Sequence, residues 1–245
     1  MPSAAASILS YLEAVDAERA VRAAQPGLGA KVVALKEFQQ RRFSHTYADL
    51  LATARYGGAA RFFLDDLYGP ADFTQRDAQF ARVVPTLERI FPMELVATVA
   101  ALAELHALSE ALDTAMATEL DTQILTASGY VGAWQRTGRH RDRGNQIALT
   151  LDIATRLDRL TRKPLVGGSL RLMRAPAQAA GLAQLQQFLE RGFETFRAMK
   201  GAEDFIETVS MREQALATAL FAAETSGPSA NVSKRVAMAA LPRDP

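Results

Sequence analysis

Three polar side chains follow one face of a long and otherwise apolar segment of the chain. His106, Ser109 and Asp113 fall within or beside the stripe that carries Leu105 and Leu112, because an α-helix turns by about 100° per residue. Polar groups turned toward a protein interior must be hydrogen-bonded, or they cost stability. One interpretation is a polar pocket in which His106 acts as an acid, a base or a ligand contact. The other is an internal network that joins helices.

A second group of candidates surrounds two adjacent glycines, Gly57 and Gly58. A glycine inside a helix costs about 1 kcal/mol relative to alanine, so the pair needs a reason. One reason is the close approach of a flat ligand, as in helical enzymes of the haem oxygenase class, with His45 or His106 as the haem ligand. A simpler reason is a kink or a tight helix–helix crossing. The candidate ligand-binding residues are therefore Gly57, Gly58, Arg61, Asp65, His106 and Asp113.

Two aspartates, Asp65 and Asp66, follow a pair of phenylalanines in a pattern that resembles the aspartate-rich motif of class I terpene synthases. In that motif the carboxylates bind magnesium and a diphosphate. Here Gly69 occupies the position of the third carboxylate, and no downstream Asn/Asp-Ser-Glu cluster follows. Magnesium needs several oxygen ligands in near-octahedral geometry. The alternative is that Asp65 pairs with Arg61 or with an arginine of another helix.

A third group of candidates is a cluster of basic side chains in a predicted polar turn. Its members are Arg136, Arg139, His140, Arg141 and Arg143. Such a cluster could hold a phosphate or an acidic partner. The alternative is a solvated loop. No aromatic residues alternate with these arginines, so the pattern does not indicate a nucleic-acid platform.

Composition limits the functions that remain. The chain has 245 residues, of which 49% are hydrophobic and 22% charged, and a net charge of +1, which does not favour nucleic acid or an anionic membrane as a partner. It has no cysteine and three histidines without metal-ligand spacing, so no metal site is predicted. No targeting segment and no apolar run of roughly 20 residues is visible, which favours the cytoplasm.

The spacing of apolar residues predicts the fold class. They recur every three or four residues throughout, which predicts an all-α protein with about eight to ten helices in a single bundle and no sheet. Residues 1–225 are predicted to form one domain, with a long connection at 163–176, and residues 226–245 a mobile tail. Thr46 and Asp49 predict a capping box that opens a helix reaching residue 68. Pro85 predicts a kink or break in a later helix.

Three stretches of the chain, at 61–70, 72–77 and 185–193, resemble an uncharacterised, all-helical family of proteobacterial proteins. The resemblance spans most of the chain up to about residue 222. It implies a bacterial, cytoplasmic setting and assigns no catalytic residue.

The leading hypothesis is a non-catalytic helical protein that binds a small ligand or a protein partner, including a second copy of itself. It requires no cofactor. The alternatives are a haem-oxygenase-like enzyme or haem-binding protein and, third, a magnesium-dependent prenyl diphosphate enzyme.

Overall fold

A computed structural model describes residues 3–67, 73–90, 93–121, 124–222 and 235–242. These residues contain helices and no strand, so the all-α prediction is confirmed. Twelve α-helices lie within the described residues up to 222, against eight to ten expected. They are α1 Ala4–Ala24, α2 Leu28–Thr46, α3 Ala48–Ala52, α4 Gly57–Phe62, α5 Thr74–Ile90, α6 Met93–Thr118, α7 Ala127–Thr137, α8 His140–Thr161, α9 Pro164–Leu172, α10 Arg174–Ala179, α11 Ala183–Ala198 and α12 Glu203–Ala222.

The 26-residue helix α6 is the centre of the bundle. It packs against α1, α2, α5, α7 and α8. Among the described residues it is the one helix that is long and apolar enough to cross a membrane by length and composition. It also buries Glu110 and Asp113 in polar contacts with neighbouring helices. These contacts on several sides are those of a core helix.

Three apolar clusters surround α6 and its neighbours. The first joins α2, α6, α7 and α12, the second joins α4, α8, α11 and α12, and the third joins α1, α5 and α6. Residues 235–242, which were predicted to be part of a mobile tail, add Ala237 and Leu241 to the first cluster. His45 Nε2 lies 3.1 Å from the Ala239 carbonyl oxygen, in the same segment. The described part of the predicted tail is therefore packed.

The helix that was predicted to begin at Thr46 and to reach residue 68 is divided. It consists of α3, a bend at residues 53–56, α4, and a π-helical turn at Phe63–Leu67. The capping box is wrong, because the Thr46 hydroxyl donates to the Ala240 carbonyl and Asp49 accepts from Arg212. Residues 68–70, where this helix was expected to end, lie outside the described residues.

Other predicted boundaries also change. Segment 163–176, interpreted as a long connection, contains α9 and the start of α10. The polar turn predicted for the basic cluster is short, because α8 already begins at His140 and includes Arg141 and Arg143. Helix α5 runs without a break from Thr74 to Ile90 with Pro85 inside it.

Gly57 and Gly58 differ in what surrounds them. A Cβ atom on Gly57 would lie 2.7 Å from the Leu51 carbonyl oxygen, whereas one on Gly58 would lie 3.7 Å from the Thr195 methyl group. The bend between α3 and α4 brings backbone against backbone at Gly57. This close approach accounts for the first glycine without a ligand.

We expect opposite effects from two neighbouring substitutions. Gly57→Ala should destabilise the fold by about 1–3 kcal/mol because its methyl group meets a backbone oxygen. Gly58→Ala should stabilise it by up to about 1 kcal/mol through helix propensity. Urea unfolding of both variants measures the difference. A stable Gly57→Ala protein would contradict the close approach.

Asp77 on α5 ties three helices together. It accepts from Arg19 Nη2 of α1 at 2.6 Å and lies 3.0 Å from His106 Nε2 of α6. Burial alone would raise the pKa of Asp77, but the hydrogen bonds from His106 and Arg19 outweigh it and lower that pKa to about 2. The ionised carboxylate of Asp77 therefore links α1, α5 and α6 inside the bundle.

This tie should give the protein an acid-sensitive component of stability. Because the folded-state pKa of Asp77 lies below the ordinary aspartate value of 3.8, the stabilisation is present above pH about 4 and is lost as the pH falls toward about 2. We expect the loss to reach up to about 2 kcal/mol in wild type. The Asp77→Asn protein should have a lower free energy of unfolding at pH 7, and that free energy should change less between pH about 4 and about 2. Urea unfolding measures both effects. Asp16→Asn, which removes an exposed partner of Arg19, is the control and should change little.

Candidate functional site

A cavity of about 120 Å³, here called the core cavity, lies between α2, α6, α7, α8 and α12. Most of its wall is apolar or aromatic. The apolar residues of the wall are Phe43, Phe63, Leu64, Trp134, Ile147, Leu151, Ala154, Phe205, Ile206, Val209, Leu216 and Ala217. Its polar residues are Gln39, Gln40, Arg42, Ser109, Asp113, Tyr130, Arg143, Gln146, Thr150 and Glu213. An apolar enclosure with a few polar groups is the usual form of a small-molecule site.

A second cavity of about 110 Å³ lies on the other side of α6, between α1, α2, α5 and α11. His106 and Asp77 are part of its wall. Gln39, Ser109 and Asp113 line both cavities. The polar face of α6 is thus the partition between two hollows.

The polar side chains on this partition are held by neighbouring helices. Ser109 Oγ accepts from Gln146 Nε2 of α8 at 2.8 Å, and Asp113 Oδ1 accepts from Gln39 Nε2 of α2 at 3.2 Å. Asp113 is 6% exposed, and its burial raises the pKa of its carboxyl group. His106 is held by Asp77. These groups therefore form a network between helices and also line the two cavities.

Two further carboxylates in the cavity walls were missed in the sequence. Glu110 accepts from Arg22 and from Lys36, each at 2.5 Å. Glu213 pairs with Arg42 and accepts from the Tyr47 hydroxyl at 2.7 Å. Each is paired with a cation of another helix, and Lys36 and Arg22 lower the pKa of Glu110 despite its burial.

Arg143 is the one member of the predicted basic cluster that enters the core cavity. It is 4% exposed, and its guanidinium carbon lies 4.1 Å from the centre of the Trp134 ring. Its Nη1 donates to Gln146 Oε1 at 3.1 Å and its Nη2 lies 3.5 Å from Met116 Sδ. No carboxylate of the described residues lies within 4.0 Å of it. Burial lowers the pKa of Arg143.

Two buried donors in the wall of the core cavity have no acceptor among the described residues. They are Arg42 Nε and Trp134 Nε1. A buried N–H group without an acceptor costs free energy, so native proteins seldom leave one unpaired. Both atoms belong to side chains that line the same hollow. The core cavity is thus rich in donors.

The other basic side chains of the cluster stay near the surface. Arg136 contacts Glu119 and Asp121, and Arg139 donates to Asp142 at 2.6 Å. His140 stacks on Phe221 with ring centres 3.6 Å apart, and Arg141 is exposed. The five residues therefore do not converge on one anion site.

The glycine-pair candidates lie apart from both cavities. Gly57, Gly58, Arg61 and Asp65 contribute to neither wall. Asp65 is exposed and accepts a weak hydrogen bond of 3.5 Å from Gln40, so the pairing with Arg61 expected from the sequence is not observed. Arg61 instead reaches the Leu51 carbonyl oxygen at 3.4 Å.

Of the residues expected to hold haem, His106 lines the second cavity, whereas the others do not join it there. His45, bonded to the Ala239 carbonyl, lies outside both cavity walls, as does the glycine pair. Gly69, part of the terpene-synthase comparison, is outside the described residues. Within the described ranges, no group of three His, Asp or Glu side chains has a geometry suited to a metal ion.

Comparison with known proteins adds a family but no activity. No curated protein and no solved structure matches the chain significantly. A family model, described as "Domain of unknown function (DUF8198)", matches residues 18–227. This match includes α2 to α12, the core cavity and all of the second cavity's wall except Leu12, so the chain belongs to that uncharacterised family.

Proposed function

We propose that this protein is a non-catalytic helical protein that binds a small organic molecule in the core cavity. The observation that carries the proposal is the pair of unpartnered donors, Arg42 Nε and Trp134 Nε1, in the wall of a mostly apolar hollow. A ligand with an apolar body and an acceptor group would satisfy both parts of that wall.

The volume of the core cavity limits the size of the ligand. An engineered protein cavity of about 150 Å³ binds benzene, so a hollow of about 120 Å³ suits a molecule with one ring or a short chain. Larger cofactors such as haem exceed it. This size favours the small-ligand hypothesis over the haem alternative.

The contacts of His106 support a binding role rather than catalysis. Its Nε2 faces Asp77, and that carboxylate is also held by Arg19. An Asp77 shared with a guanidinium helps an imidazole less as a base than an unshared carboxylate would. His106 therefore contributes mainly to the tie between α5 and α6.

For the setting we propose the bacterial cytoplasm, as the family resemblance of segments 61–70, 72–77 and 185–193 implies. The absence of cysteine from the chain is compatible with a reducing compartment.

Ligand binding should be visible in the fluorescence of Trp134, the one tryptophan of the chain, which lines the core cavity. We expect small aromatic probes such as phenol, benzamide and benzoate to change its emission in a saturable way. At ten times the dissociation constant, binding should stabilise the protein by about 1.4 kcal/mol, which raises Tm by about 3–6 °C. Fluorescence titration and thermal unfolding measure the two effects.

Two alanines of α12 offer a matched control. Ala217 lines the core cavity, whereas Ala215 is exposed on the same helix. Ala217→Leu fills part of the hollow and should weaken probe binding at least tenfold, while Ala215→Leu should leave it unchanged. Equal binding by both variants, or no saturable response to any probe, would refute the core cavity as a binding site.

A further inference from the structure

Arg143 is a buried cation that forms no ion pair within 4.0 Å with a carboxylate of the described residues. Its side chain is 4% exposed and contacts a neutral amide, a thioether and the face of Trp134. An arginine keeps its proton under all ordinary conditions. Burying a charge is costly unless an opposite charge accompanies it. The position of Arg143 in a cavity wall therefore points to an anion inside the cavity.

The other charges around the core cavity do not supply that anion. Glu213 is used by Arg42, and Glu110, in the adjoining wall, is shared between Arg22 and Lys36. Asp113 is the remaining carboxyl group of the wall. It accepts from Gln39 and forms no ion pair with Arg143; its burial raises its pKa, while the charges of Lys36 and Arg143 act in the opposite direction. None of these three carboxylates therefore contacts Arg143 as an ion pair.

The chemistry of the donors indicates which anion fits. A guanidinium presents parallel N–H groups in a planar fork that matches the two oxygens of a carboxylate. The single charge of Arg143 matches a ligand with one negative charge, whereas a phosphate monoester carries up to two. Arg42 Nε and Trp134 Nε1 add donors on the same wall. The remaining wall, including Phe63 and Leu151, is apolar.

We propose that the ligand of the core cavity is a small monocarboxylate, with its carboxylate bound by Arg143 and its apolar body among the aromatic and aliphatic residues of α8 and α12. This inference rests on the proposed function and specifies the chemical class of the ligand. It assigns to Arg143 the role of the anion-binding residue.

The test compares acids with their own amides. Benzoate and benzamide share one shape, as do pentanoate and pentanamide, and only the acids carry a negative charge. We expect wild type to bind each acid about tenfold more tightly than its amide, because hydrogen bonds to a charged acceptor are stronger than neutral ones. Trp134 fluorescence and titration calorimetry at pH 7 measure the dissociation constants.

Variants identify the residue that makes the acid bind more tightly than its amide. Arg143→Met removes the charge but keeps an unbranched apolar side chain, and it should reduce the acid-to-amide preference to about one. Arg141→Met, an exposed arginine on the same helix, is the matched control and should keep the full preference. Arg143→Lys keeps the charge without the fork, so it should give an intermediate ratio if Arg143→Met does not fold.

The possible results separate the two proposals. If amides bind wild type as tightly as the acids, the carboxylate class is refuted while ligand binding in the core cavity stands. If Arg143→Met keeps the preference, Arg143 is not the anion-binding residue. If no acid or amide binds, both proposals fail.

Discussion

The polar side chains buried on α6 are the constraint on which the structure depends. Glu110 and Asp113 are buried and Ser109 is half-buried, and each is hydrogen-bonded to a partner on another helix. Their partners come from α1, α2 and α8, which fixes how these helices lie around α6. Apolar packing alone tolerates sliding and rotation of helices, whereas hydrogen bonds of defined length do not. The same constraint leaves hollows on both sides of the partition, because polar side chains fill space less completely than interdigitating leucines.

The buried donors that this arrangement leaves without a partner lie together in the wall of the core cavity. Arg42 and Trp134 keep unpartnered donors there, and Arg143 is buried without an ion pair to a carboxylate of the described residues. Selection for stability alone would replace such groups with apolar residues of similar volume. Natural proteins break local rules of this kind mainly at functional sites. The cavity is thus the part of the molecule where stability and binding are in conflict.

Apolar periodicity was sufficient to predict the fold class and to place His106 and Asp113 in the interior, because both lie on a continuous stripe. It failed for Arg143, since the basic residues around it are typical of a solvated turn. A signal was present: Ile147 and Leu151 follow Arg143 at intervals of four, so all three share one helix face. The role of Gly57 could not be predicted, because the Leu51 carbonyl that it meets is brought there by a bend.

The packing of residues 235–242 has a consequence for the order in which the protein can assemble. Ala237 and Leu241 cover a cluster built from α2, α7 and α12, and the contact with His45 joins positions 194 residues apart. A chain made from its amino end therefore holds α2 with part of its apolar side uncovered until residues 237–241 have been made. Contacts between residues far apart in the sequence form slowly, and until they form, apolar surface stays exposed. The first apolar cluster can accordingly close only after residues 235–242 leave the ribosome.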